Sequence, residues 1–104
     1  MKGKNMKLLI FSAIVFAVMP LAAQPGKDVY SDKCANCHGQ DGAGKTAMGR
    51  KQKVGDVSIA VKAMTADQMI KVVTDGKGNM DGFGKELNKD QVKAVVEYYR
   101  SLAK

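Results

Sequence analysis

Residues 34–39 read Cys34-Ala35-Asn36-Cys37-His38-Gly39, and they hold both cysteines and the single histidine of a 104-residue chain. All the soft metal-binding thiol and imidazole groups therefore fall within five consecutive positions. A structural zinc site draws on four such ligands, and only three exist here, all adjacent. A thiol oxidoreductase expects its Cys-x-x-Cys pair after a strand and at the start of a helix. A plain disulfide across so short a loop would close little chain and stabilise modestly.

The flanking residues say what kind of structure holds the motif. Val29, Tyr30, Cys34 and Cys37 lie near helical spacing and Pro25 suits a first helical turn, so a short helix is expected to end at the motif. Residues 39–49 contain four glycines and no sustained periodicity, which predicts a loop. Residues 51–63 are ambiguous, with a short turn of helix near Ser58. Thr65-Ala66-Asp67-Gln68 fits a capping box with Met64 and Met69 as its hydrophobic staple, and a helix of about two turns should follow, ending before Asp75-Gly76. Residues 76–84, GKGNMDGFG, are again glycine-rich and read as irregular. Asn88-Lys89-Asp90-Gln91 offers a second cap, stapled by Leu87 and Val92. Val92, Val95, Val96, Tyr99 and Leu102 then trace the apolar face of a helix running to the C-terminus.

No segment alternates with period two, so the expected fold is all-α, with three to five short helices. Glycine-rich connections cost entropy and bury nothing, so such helices make a poor core by themselves. Something other than side chains must fill the middle.

Cys-x-x-Cys-His is also the signal for covalent attachment of haem. Residues three and four apart share a helix face, so Cys34 and Cys37 can each bond a vinyl-bearing edge of one porphyrin while His38 turns its imidazole to the iron. A six-coordinate iron then needs one more ligand, and methionine is the remaining soft donor. Met64 and Met69 are accounted for by packing, and Met48 lies in a loop only ten residues past His38. Met80 is surrounded by Gly76, Gly78, Gly82 and Gly84, which let a backbone pass close over a flat ligand. Met80 is therefore the expected distal ligand, with Phe83 packing on the ring edge.

The N-terminus reads as a targeting segment. Lys2, Lys4 and Lys7 precede the apolar run Leu8 to Val18, then Pro20 and the small pair Ala22-Ala23, the order of a secretory signal peptide. Residues 1–23 are expected to be cleaved, leaving a single domain over residues 24–104. Those 81 residues are about the size at which one core is barely sufficient and a cofactor or staple commonly helps. Of seventeen basic residues three lie in the leader, so fourteen face ten acidic ones and the net charge of residues 24–104 is +4. That mild excess, scattered and without interleaved aromatics, is not a nucleic-acid-binding composition. It reads as a solvated surface, with the steering of an acidic partner as the functional alternative.

With these residues in view, the chain resembles the class I cytochromes c, closest to the small periplasmic single-haem domains of bacteria. The resemblance rests on CANCHGQDGAGK, GKGNMDGF and VVEYYRSLA, in the family's order and covering nearly all of residues 24–104. It implies one haem c held by thioethers to Cys34 and Cys37, with His38 as proximal and Met80 as distal iron ligand. It further implies a cytochrome c fold whose first and last helices cross, with Gly26, Tyr30 and Tyr98 at the crossing. The implied role is one-electron transfer without catalysis, by an exported, periplasmic, soluble monomer that makes transient contacts with redox proteins. Two departures stand out. Asp81 follows the axial methionine where the family usually has proline, and Gly55 in KVGDVS is the nearest counterpart of a proline in the segment that hydrogen-bonds the proximal histidine. Two other readings remain, a five-coordinate haem protein reacting with small molecules and a haem-free dithiol module.

Overall fold

Pro25 opens the first helix of a computed structural model that describes residues 24–104; the leader assigned to residues 1–23 lies outside them. This helix, α1 (25–38), changes pitch midway. Pro25–Val29 is α-helical, Tyr30–Cys34 is a π-turn in which the amide of Ala35 donates to the carbonyl of Tyr30, and Ala35–His38 is α-helical again. Such π-turns recur at functional sites. This one ends on the first cysteine.

Four further helices follow, α2 (Ala47–Lys51), α3 (Val57–Ala63), α4 (Ala66–Asp75) and α5 (Lys89–Ser101). Both predicted capping boxes are present, Thr65 with Gln68 and Asn88 with Gln91. The segment assigned to loop over 39–49 contains the start of α2. Its cap is Thr46, whose hydroxyl accepts from the amide of Gly49 at 2.8 Å. The ambiguous 51–63 stretch yields a full helix because Asp56 caps it, accepting from the amide of Ser58 at 2.8 Å. α4 is ten residues long, nearer three turns than two.

The all-α expectation needs one addition. Residues 76–84 are not irregular throughout, since β1 (Gly76–Lys77) and β2 (Met80–Asp81) pair antiparallel with Lys77 opposite Met80. Gly78 has φ +58 and Asn79 does not share it, the pattern of a two-residue type II′ hairpin. Pairs of two-residue strands are too short to show alternation in sequence.

α5 packs across α1 and against α4. Gly26 makes the α1–α5 crossing close, because a Cβ there would overlap the carbonyl of Ala94 and crowd Cβ of Tyr98 at 3.2 Å. Alanine is favoured over glycine in helices by roughly 0.5–1 kcal/mol, whereas overpacking costs roughly 1–3 kcal/mol. Gly26→Ala is therefore expected to lower the urea midpoint. An unchanged or raised midpoint would show that the helices can part without cost.

Tyr30, Ala35 and Val95 form the buried centre beside this crossing, with Tyr98, Tyr99 and Leu102 packed round them. Tyr30 is 1% exposed, and its hydroxyl donates to the carbonyl of Gly39 at 2.6 Å. Burial pushes the Tyr30 phenol, and less strongly that of Tyr99, above the ordinary value. The folded state thus favours the neutral phenol, while an unfolded chain ionises from about pH 10. The associated stability is complete below that pH and is lost as pH rises from there towards the raised folded values. Urea midpoints measured from about pH 8 to about pH 11 should fall across the upper part of that range, and less in Tyr30→Phe.

Candidate haem site

The Cys-x-x-Cys-His turn is held from behind by main-chain bonds. The amide of Gly39 donates to the carbonyl of Ala35 at 2.8 Å, and that of Gly44 to the carbonyl of His38 at 2.8 Å. Gly39, with φ +83, turns the chain out of the helix. The Thr46 hydroxyl lies 2.7 Å from the Asn36 carbonyl and 3.1 Å from that of Cys37. Gly49 seats α2 directly on the motif, since a Cβ at that position would strike the Cys37 carbonyl. The carbonyls ending α1 thus find partners in the following loop, which leaves the motif's side chains facing the interior.

There they meet an apolar cavity of about 130 Å³, lined by Cys34, His38, Met80, Tyr30 and Tyr99, with Met64, Met69, Val72, Val73, Val95 and Val96 on its walls. A second, larger crevice of about 680 Å³, within the roughly 300–1,000 Å³ of small-molecule sites, is lined by Cys34, Cys37, His38, Met80 and Phe83, with Lys33, Lys53 and Lys77 also on its lining. The two spaces share Cys34, His38 and Met80. The structure therefore brings all four predicted site residues, and Phe83, to one crevice.

The methionines separate by position. Met48 is 37% exposed, lies near the side-chain amide of Gln52, and lines neither space. Met64 and Met69 do line the inner cavity, which the staple reading did not anticipate. Met69 is buried, and the Arg100 guanidinium lies 3.9 Å from its sulfur and 3.4 Å from the Met64 carbonyl. Met80, on β2, is the methionine that lines both spaces.

The chemistry of the donors fits haem better than the alternatives. Burial pushes the Cys34 thiol up to about 11, opposite to the lowered value a reactive dithiol requires. Among the described residues no three His, Cys, Asp or Glu side chains converge as a metal site. His38 is largely buried, and desolvation lowers its pKa, which keeps the imidazole neutral and able to ligate. Its Nδ1 is buried without a hydrogen-bond partner among the described residues. Val54 and Gly55, in the segment matched to the family's histidine-bonding proline, line the larger crevice together with His38.

Tyr99 is the site residue that sequence reasoning placed only in the core face of α5. Its ring meets the imidazole of His38 edge-on, with centroids 5.1 Å apart and planes at 69°. The signal was present, since Tyr99 lies three and four residues beyond Val96 and Val95, both of which line the cavity.

A shell of short helices whose apolar interior is reached by Cys-x-x-Cys-His defines a small class I c-type cytochrome. The family model described as "Cytochrome C oxidase, cbb3-type, subunit III" matches residues 21–98, and the chain belongs to that family. It is 32% identical to cytochrome c6 of Rippkaea orientalis, over 91% of this chain and 90% of that one. It is 35% identical to the cbb3-type cytochrome c oxidase subunit FixP of Bradyrhizobium diazoefficiens, over 84% of this chain but only 32% of that protein. The chain thus spans about a third of the length of that oxidase subunit. Among solved structures, the KustC0563 c-type cytochrome superposes with a TM-score of 0.70 at 26% identity, over 76% of this chain and 98% of that one. The protein is accordingly an electron-transfer cytochrome that carries covalently bound haem c.

Proposed function

We propose that this protein is an exported, monomeric one-electron carrier in which Cys34 and Cys37 hold the haem as thioethers, His38 is the proximal ligand and Met80 the distal ligand. The observation that carries this reading is the convergence of these four side chains on one crevice from opposite ends of the chain. Haem supplies an iron that alternates between ferrous and ferric states. The protein's part is to keep it in place and tune it. Cys34 and Cys37 would hold one edge of the haem, His38 and Met80 would supply its iron ligands, and the valine and methionine walls would exclude water and favour the less charged state.

Export follows from reading residues 1–23 as a cleaved signal peptide, with residues 24–104 as the working domain. Among the described residues no helix is long and apolar enough to cross a membrane. The partners are redox proteins with acidic docking surfaces, met briefly through the crevice lined by Lys33, Lys53 and Lys77.

Lys53 supports the docking role. It occupies the position after the Gln52 cap of α2 with φ +59, and among the described residues it is the one non-glycine with positive φ. The amide of Val54 donates to the carbonyl of Gly49 at 2.8 Å and that of Lys53 to Arg50 at 3.2 Å, the Schellman pattern that glycine normally completes. Lys53→Gly is expected to raise the urea midpoint, because the left-handed conformation costs a non-glycine residue roughly 1–2 kcal/mol. The same variant should be reduced more slowly by an acidic redox protein at low salt. Equal rates would remove Lys53 from the docking surface.

Wild-type protein from a host able to mature c-type cytochromes tests the proposal as a whole. Its mass should equal residues 24–104 plus one haem, its ferric spectrum should show the methionine-to-iron charge-transfer band, and its ferrous form should ignore carbon monoxide. Rapid carbon monoxide binding would instead make it a five-coordinate, reactive haem protein, and an unmodified mass would leave the dithiol reading.

A further inference from the structure

We infer that Arg100 is a cofactor-binding residue whose guanidinium holds a propionate of the haem. The inference rests on the reading of Cys34 and Cys37 as thioether attachments and deepens it.

Arg100 stands in the last turn of α5, next to Tyr99 and four residues beyond Val96, both of which line the inner cavity. It is half-buried. A guanidinium carries five N–H donors in a planar fork and a permanent charge, so one withdrawn from water normally meets a carboxylate. Among the described residues the ion pairs are Lys33 with Glu86 and Lys71 with Asp75, and Arg100 is in neither. Its contacts are the Met64 carbonyl at 3.4 Å, beyond the roughly 2.7–3.2 Å of an ordinary N–H···O bond, and the Met69 sulfur, a weak acceptor, at 3.9 Å. Both contacts use Nη1, which leaves Nη2 and Nε without a partner among the described residues. Met64 and Met69 are themselves walls of the inner cavity. The fork thus lies at the edge of the haem space with most of its donors unused.

Haem brings the missing anion. Its vinyl groups and its two propionates lie on opposite edges of the porphyrin, so attachment through the vinyls sends two carboxylates to the far side. Cys34 and Cys37 both line the outer crevice, whose lining includes neither Met64 nor Met69. Those two methionines belong to the inner wall, on which Arg100 leans. The lining of the inner cavity contains no lysine, arginine, aspartate or glutamate, so a carboxylate arriving there must find its cation just behind the wall. Lys71 and Lys77 are the rival cations, in a groove behind Met64 and Val72, but both are exposed and Lys71 already pairs with Asp75 at 3.1 Å. Arginine also matches a carboxylate in two parallel bonds, which a lysine cannot do.

Proton NMR of the wild-type ferrous holoprotein tests the contact directly. Nuclear Overhauser effects are expected between the propionate methylenes and the side chain of Arg100. Effects to Lys71 or Lys77 with none to Arg100 would overturn the inference and move the carboxylates to the groove. The variants read the charge. In Arg100→Gln at pH 8 an ionised propionate loses its counter-ion, which favours ferric iron, so the midpoint potential should fall, whereas Arg100→Lys should stay near wild type. An unchanged potential in Arg100→Gln, with only a lower urea midpoint, would reduce Arg100 to a tie on the Met64 carbonyl. Failure of the underlying reading looks different, because the same spectrum would then show no contact between the haem and the β-protons of Cys34 and Cys37.

Discussion

Met80→Ala is expected to abolish the methionine-to-iron charge-transfer band and to turn a protein indifferent to carbon monoxide into one that binds it rapidly when reduced. The variant removes the one thioether shared by both parts of the crevice and puts no donor in its place. A thioether ligand raises the potential of histidine-ligated iron, so the midpoint should also fall. Axial ligands move haem potentials over roughly 0.8 V, and a drop on the order of 0.1 V is expected here. Met64→Ala is the control, because Met64 lines the inner cavity but not the outer crevice. It should retain the band. If Met80→Ala kept the band and Met64→Ala lost it, the distal ligand would be Met64, and β1–β2 would be no more than a cover over the ring.

The double variant Cys34→Ala/Cys37→Ala should lose covalent haem and a large part of its stability. The magnitude follows from the cavity. Unfilled volume in a core costs about 24 cal/mol per Å³, so an empty cavity of about 130 Å³ amounts to about 3 kcal/mol. Small domains have only about 5–15 kcal/mol in total. An 81-residue domain that cannot retain its cofactor should therefore be only marginally folded, and its urea midpoint by circular dichroism should fall well below that of either single variant. Haem staining after denaturing electrophoresis would be absent. Each single variant keeps one thioether and should remain coloured and folded, with a lower urea midpoint. A double variant with wild-type helical content and midpoint would show that the helices form a sufficient core without the cofactor.

Asp81 occupies the position after Met80 where the resembling family usually has proline. The hairpin explains how the loop tolerates this. Gly76 and Asp81 are paired in register, and a Cβ on Gly76 would lie 2.8 Å from the Met80 carbonyl and 2.7 Å from the Gly82 amide. Close backbone packing between the two strands and α4 restrains the Met80 loop, a task proline could perform by stiffening the chain alone.

The covalent and helical logic of this protein was present in the order of its residues. Cys34, Cys37 and His38 declare their use because attachment geometry depends on local spacing. Thr65 with Gln68, and Asn88 with Gln91, declare helix starts because caps are satisfied within four residues. The valine stripe of α5 declares a buried face for the same reason of periodicity. What only the tertiary structure decided depends on residues distant in sequence. The caps of Thr46 and Asp56 are single side-chain bonds that stand out only once the loops settle on the motif, and the β1–β2 hairpin is too short to have a period. The lysines reach the crevice lining from three separate segments. Tyr99 reads as one more apolar position until α5 lies across α1, and only that crossing sets its ring against His38. Local spacing thus marked the groups proposed to bind the haem, while packing between elements decided how those groups are held.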